Sequence, residues 1–207
     1  VDAGVACSVA VGAACATAQF VFLSLLSLAA ALGWASGFRL YAVVFLVGMM
    51  GVLGWMPLPP GLAVLQNPLV LMVSGVLLMV EFFADKVPWL DSAWDAVHAF
   101  IRVPAGAALA FGVFGADNAT MAIAAGLLGG SLSATALATK MTTRAAVNTS
   151  PEPFSNWGLS FFEDGLVVAV VRLATQYSVA LGMARVVMVT AAVLRLVALF
   201  TFPRAVV

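Results

Sequence analysis

The stretch between Glu81 and Arg102 holds the densest set of side chains in this chain that could do chemistry. It carries seven of the nineteen acidic, basic and histidine residues. Four of them recur at intervals of three and four positions: Asp91, Asp95, His98 and Arg102. That spacing places side chains on one face of a helix. The stripe predicts either the solvated face of an amphipathic helix at the cytoplasmic membrane surface or the wall of a polar pathway, and we take the surface helix as the expectation.

His98 is the single histidine of the chain, and an imidazole can titrate near neutral pH. The stripe gives no metal-ligand pattern, because Asp91 and Asp95 would pair as readily with His98 and Arg102 as with a metal ion. The sequence therefore assigns neither a metal nor a cofactor, and it predicts His98 only as a pathway candidate.

A second carboxylate pair, Glu81 and Asp85, lies four positions apart at the end of an apolar run, with Lys86 beside it. Carboxylates at the C-terminal end of a helix oppose the helix dipole, so helix stability does not explain the pair. Charges at membrane depth usually face the protein interior or a watery cavity. Glu81 is thus a pathway candidate, and the alternative is an interfacial carboxylate that pairs with Lys86.

The second polar region covers residues 140–158, where Lys140, Arg144 and Asn148 follow one another at intervals of four. If the preceding helix continues this far, the two cations share one face and would suit an anion. The alternative, which we expect, is that they anchor a cytoplasmic loop, because loop lysines and arginines set the orientation of membrane proteins.

The segment FFAD at residues 82–85 has a partial echo in FFED at residues 161–164. Matching polar breaks in two halves of a transporter mark a binding site between inverted repeats. The distances from the preceding arginine differ, however, at 43 positions in the first case and 17 in the second. The echo supports an internal repeat only in part, and it adds Arg39, Glu163 and Asp164 to the candidates.

Composition places all of these charges in a membrane protein. Of 207 residues, 64% are hydrophobic and 9% are charged, and the mean hydropathy is +1.13, outside the range of soluble domains. The formal net charge is zero, so no basic field exists to hold a nucleic acid. We expect a single all-α transmembrane domain over residues 1–207, in contact with membrane lipids and assembled as a homo-oligomer or with a partner membrane subunit.

Apolar runs near the length that crosses a bilayer as a helix predict a bundle of about seven transmembrane helices. The predicted spans are residues 18–35, 40–56, 67–83, a fourth that includes residues 104–116, and then 120–139, 159–177 and 181–202. A break over residues 33–37 ends the first, and Lys140 ends the fifth. The basic residues favour a bacterial inner-membrane topology with the N-terminus outside and the C-terminus in the cytoplasm.

The fourth predicted span contains Pro104 and is short or kinked. The run from Pro104 to Ala116 is too short to cross a membrane alone. Either it borrows the turns before the proline, which would draw Arg102 into the membrane, or it is a half-helix that ends at Asp117-Asn118 at mid-depth.

Three segments of the chain carry a family resemblance: GFRLY, EFFADKVPWLDSAWDAVHAFIRVPAGA and KMTTRAAVNTSPEPFSNWGLSFFEDG. They resemble the signature segments of the domain-of-unknown-function family 4126 of bacterial membrane proteins, over roughly residues 20–200. The resemblance implies a polytopic inner-membrane protein and no established activity. It draws attention, without assigning roles, to Arg39, Glu81, Asp85, Lys86, Asp91, Asp95, Arg102, Lys140, Arg144, Asn148, Pro151, Glu152, Pro153, Asn156, Glu163 and Asp164.

Three functional classes follow from these patterns. The first, which we favour, is a carrier or channel that moves a small solute, in one version an anion, through a charged cavity on the cytoplasmic side. The second is an accessory or structural subunit of a larger membrane complex. The third is a membrane enzyme that acts on a lipid headgroup with a hard metal ion held by Asp91 and Asp95, although no nucleophile motif supports it.

Overall fold

The computed structural model describes residues 2–87, 89–115, 118–149 and 153–176, and within them it contains helices and no strand. The elements are α1 (Asp2–Val52), a 3-10 helix (Pro60–Gln66), α2 (Pro68–Ala84), α3 (Leu90–Phe114), α4 (Ala119–Val147) and α5 (Pro153–Gln176). The all-α class is confirmed for this part of the chain. The predicted last span, residues 181–202, lies outside the described residues.

The first two predicted spans are the two halves of α1. Arg39 separates them, because its backbone leaves the helical conformation with φ −145° and ψ 82°. The break predicted over residues 33–37 was therefore wrong. Gly33 and Gly37 remain helical, and they serve a different purpose: a Cβ on Gly33 would lie 2.4 Å from the Cα of Gly129, and one on Gly37 would lie 2.3 Å from the carbonyl oxygen of Ser133. Small residues let helices approach this closely inside a membrane.

The chain turns back at the break in α1. Before the break, the Phe22 ring contacts Phe114 at the end of α3. After it, Gly48 packs against the 3-10 helix, whose Gly61 lies against Gly112, close to the same end of α3. In one straight helix residues 22 and 48 would be about 39 Å apart, so the two halves of α1 run in opposing directions along α3.

Three of the described helices are long and apolar enough to cross a membrane: Thr17–Val52, Leu90–Phe114 and Ala119–Val147. The 3-10 helix and α2 are bent by 69° and would make a fourth span if they act as one. Asn67 caps α2 by accepting a hydrogen bond from the Leu69 amide at 2.9 Å, with Pro68 at the first helical position as the sequence predicts. The chain is a helical membrane protein, and the described residues do not establish the predicted count of seven spans.

The fourth predicted span follows the first of its two alternatives, and the fifth differs from expectation at its end. Pro104 lies inside a continuous α3, so the run after it borrows the preceding turns and Arg102 becomes the central residue of a membrane-length helix. Lys140 does not end the fifth span, because α4 continues to Val147. Charged residues therefore lie within two helices that are long and apolar enough to cross a membrane.

Candidate functional site

Ten charged side chains from all five α-helical regions join in one network of ion pairs at one end of the bundle. Its members are Arg39, Glu81, Asp85, Asp91, Asp95, Arg102, Lys140, Arg144, Glu163 and Asp164. The Asp164 side chain is 26% exposed, and the others are at most 3% exposed. The network therefore lies inside the protein.

Asp85 lies at the centre of the network, immediately after the last residue of α2. Its Oδ2 is 2.9 Å from Arg39 Nη2, 3.3 Å from Lys140 Nζ and 3.6 Å from Arg144 Nη2. Burial by itself would raise the pKa of Asp85, but the surrounding cations outweigh burial and lower this pKa below its ordinary value. Asp85 is thus held ionised by side chains from α1 and α4.

Arg102 bridges two carboxylates in the interior of the bundle. It forms ion pairs with Glu81 of α2 and, at 2.6 Å, with Asp95 of its own helix. Asp95 also faces Lys140 Nζ at 3.0 Å, which connects this group to Asp85. Glu81 Oε2 and Asp95 Oδ2 are buried and have no hydrogen-bond partner among the described residues.

Arg144 connects α4 to α5 and to the start of α3. It binds Glu163 Oε2 and Asn156 Oδ1, each at 2.6 Å, and lies 3.6 Å from Asp91 Oδ2. Asn148, one turn further along α4, donates a hydrogen bond to Asp91 Oδ1 at 3.0 Å. The interval of four predicted for Lys140, Arg144 and Asn148 therefore builds one continuous polar face on α4.

Arg39 connects the two similar segments FFAD (residues 82–85) and FFED (residues 161–164). Its Nη2 pairs with Asp85 and its Nε with Asp164, each at 2.9 Å, and Nη2 also donates to Ser160 Oγ at 3.0 Å. The two aspartates that follow the aromatic pairs thus share one guanidinium. Because Arg39 is also the non-helical residue of α1, the break in this helix and the bridge between α2 and α5 occur at the same position.

His98 and Lys86 lie beside the network and form no ion pair within the described residues. His98 stacks on Trp94 at 3.9 Å between ring centroids and meets the edge of Tyr41. Lys86 Nζ lies 3.0 Å from the centroid of the Phe82 ring and donates to the Phe82 carbonyl oxygen at 3.1 Å. Burial lowers the pKa of Lys86. The alternative in which Glu81 pairs with Lys86 was wrong, since Glu81 pairs with Arg102.

The predicted solvated face of α3 was also wrong. Asp91, Asp95 and Arg102 are 0% exposed, whereas Val97 is 66% and Ile101 47% exposed. In this part of α3 the polar stripe points into the protein and the apolar face points out, the reverse of a helix on a soluble domain. Lys140 and Arg144 are 0% exposed as well, so they do not anchor a loop from its surface.

The sequence analysis did not predict that Ser160 contacts the network, and it gave Asn156 no role beyond the family resemblance. Both belong to a stripe on α5, because Asn156, Ser160 and Glu163 follow one another at intervals of four and three. The same helical periodicity that singles out residues 91–102 would have found them.

The arrangement offers little to a metal ion. Among the described residues, no group of three or more His, Cys, Asp or Glu side chains is placed to hold one. Asp91 is bound by Asn148 and faces Arg144, and Asp95 is bound by Arg102 and Lys140. These contacts give no support to the metal-dependent lipid enzyme, in which Asp91 and Asp95 would be the ligands.

A comparison of the whole chain with known families identifies its family. The model of the family described as Domain of unknown function (DUF4126) matches residues 26–198. No curated protein and no solved structure matches the chain. The matched range contains every member of the charge network.

Proposed function

The chain belongs to the DUF4126 family, and because that description names no activity we propose a function from the site: a membrane carrier or channel whose buried network handles a proton or another small cation. The observation that carries the proposal is an excess of carboxyl groups. Six carboxyl groups share four cationic side chains in the network. The network therefore has two more carboxyl groups than cations. If Lys86, which lies outside the network, were counted with the cations, the excess would fall to one.

Stability alone is a poor explanation for such a network. Removing charges from water costs several kcal/mol per ion, and hydrophobic replacements of buried ion pairs are often neutral or stabilising. Ionisable residues within membrane segments mark ion and substrate pathways. Nine of these ten side chains are at most 3% exposed, so a role beyond folding is the better explanation.

The surplus of negative charge in the network favours a cation as the transported ion, and not the anion that the sequence analysis considered. Each of its four cationic side chains already lies within 4 Å of at least one carboxylate. An incoming anion would have to break these pairs in an environment with surplus negative charge. A proton or a small cation would instead reduce the surplus.

Glu81 is the residue that we assign to this role first. It is fully buried, and its only ion-pair partner among the described residues is Arg102, which it shares with Asp95. Its Oε2 accepts no hydrogen bond from the described residues. Glu81 therefore has an acceptor atom at which a proton or cation could bind while Oε1 keeps its contact with Arg102.

Flux through the purified protein in liposomes tests the proposal. The vesicles enclose a pH-sensitive dye, and a potassium gradient with an ionophore sets the membrane potential. Parallel assays with sodium and potassium indicators test the other small cations. The variants are Glu81→Gln and Glu81→Asp, and the matched control is Thr135→Val, an exposed side chain of α4 that bonds only to its own helix.

We expect a cation flux above that of empty liposomes, abolished by Glu81→Gln, partly retained by Glu81→Asp and unchanged by Thr135→Val. Each variant is first shown to be folded by a single symmetric peak in gel filtration. Wild-type protein that moves none of these cations, or a folded Glu81→Gln protein with wild-type flux, would overturn the proposal.

The alternative is an accessory or structural subunit of a larger membrane complex, either as a homo-oligomer or with a different partner. In that case the network would serve folding alone, and the protein would co-purify with a defined partner in mild detergent. We place the protein in a bacterial inner membrane with the N-terminus outside, which would put the network on the cytoplasmic side. A protease-protected tag at either terminus tests this orientation.

A further inference from the structure

A second feature of the molecule lies on the outer surface of the bundle, away from the charge network. A cavity of about 390 Å³ separates the second half of α1 from α5, with Leu46, Met50 and Trp55 on one side and Val168, Val171 and Arg172 on the other. Its volume falls in the range of sites that hold small ligands. The guanidinium of Arg172 is the charged group in this otherwise apolar lining.

Arg172 differs from the arginines of the network in having no side-chain partner among the described residues. The side chain is exposed and makes neither an ion pair nor a hydrogen bond with any described residue. Residues 177–207, which follow α5, contain no Asp or Glu, so that segment brings no acidic side chain to it. A cation that packs against a membrane helix without a carboxylate is costly unless it meets an anion or reaches the lipid headgroups.

The position of the cavity along the bundle fits the headgroup level. Arg172 lies nine positions beyond Glu163 on α5, about 14 Å further from the network. Trp55, which is 68% exposed, follows directly after the candidate span Thr17–Val52. Tryptophan and arginine together are typical of the boundary between hydrocarbon and headgroups.

We propose that this cavity binds an anionic phospholipid of the surrounding membrane, with its phosphate on Arg172 and one acyl chain along Leu46, Met50 and Val168. The occupant must be both apolar along most of its length and negatively charged at one end, and a membrane phospholipid has this chemistry. An arginine holds a phosphate through two parallel hydrogen bonds, which gives it an advantage over a lysine at the same place.

Native mass spectrometry of the full chain tests the site with phosphatidylglycerol and phosphatidylcholine of identical acyl chains. The variants are Arg172→Gln, Arg172→Lys and Val168→Glu, which places a carboxylate one helical turn before Arg172. The matched control is Lys86→Gln, which also removes one cation but at the network end of the bundle. The measured quantity is the ratio of the first binding constants for the two lipids.

We expect the wild-type protein and Lys86→Gln to favour phosphatidylglycerol by about fivefold, the effect of one basic residue next to anionic lipid. Arg172→Gln and Val168→Glu should reduce the ratio to about one, and Arg172→Lys should give an intermediate value. Equal ratios in the wild-type and Arg172→Gln proteins would overturn the site. A wild-type ratio of one would do the same, because another segment or a second copy of the chain would then fill the cavity.

Discussion

Arg102 and Glu81 form an ion pair between the middle of α3 and the last turns of α2, with 21 positions between them in the chain. Arg102 also pairs with Asp95, so one guanidinium contacts two buried carboxylates. The pair closes one end of a network that reaches Asp91, about 16 Å along α3. This distance is about half the thickness of the hydrocarbon core.

Removing both members of this pair should cost less stability than the sum of the two single removals. Arg102→Gln leaves Glu81 without its only ion-pair partner among the described residues, and we expect a loss of about 3 to 5 kcal/mol. In the double variant Glu81→Gln, Arg102→Gln no lone carboxylate remains at position 81, so part of that loss should return. Thermal unfolding of the four proteins in detergent measures this, and strictly additive losses would contradict the pairing.

Replacing Arg39 with lysine should destabilise the protein even though the positive charge is kept. Two different nitrogens form the two ion pairs, each at 2.9 Å, Nη2 with Asp85 and Nε with Asp164, and a lysine has only one nitrogen to offer. Arg39→Lys should therefore lower the melting temperature. Asp164→Asn should cost stability in the wild-type background and little in the Arg39→Lys background, and equal costs in both would show that the bridge is absent.

The contribution of Asp85 to the stability of the folded protein should depend on pH. Since its folded pKa lies below the ordinary value, its ion pairs stabilise the protein fully above the unfolded pKa of about 3.9. This contribution is lost as the pH falls through the lower, folded pKa. The difference in melting temperature between the wild-type protein and Asp85→Asn should thus be constant from pH 7 to about 5 and shrink at more acidic pH. A difference that grows on acidification would contradict the assignment.

The contact between α1 and α4 should tolerate no added side chain at Gly33. The Cβ of Gly33→Ala would lie 2.4 Å from the Cα of Gly129, so the helices must separate, at a cost of about 1 to 3 kcal/mol. The matched control is Gly158→Ala on α5, where no atom of the described residues lies within 4 Å of the added Cβ. That control should be neutral or slightly stabilising because alanine favours helix. The two melting temperatures should therefore shift in opposite directions.

Periodicity was a good guide to which residues act together and a poor guide to their surroundings. The stripe of Asp91, Asp95 and Arg102 on one face of α3 is confirmed, but its solvated surroundings were wrong. A repeat of three and four positions shows that side chains share a face and does not say whether that face meets water or protein. Around a membrane bundle the exterior is apolar, so the usual assignment of the polar face is reversed.

The sequence by itself determined the membrane class, most of the helices and the candidate charges, because hydropathy and residue spacing are local properties of the chain. Only the tertiary structure decided which charges meet. Arg39 contacts Ser160 across 121 positions and Lys140 contacts Asp85 across 55, and no local pattern encodes such partners. The reversal at Arg39 brings α1 between α3, α4 and α5, and it is this packing that gathers separate polar stripes into one network.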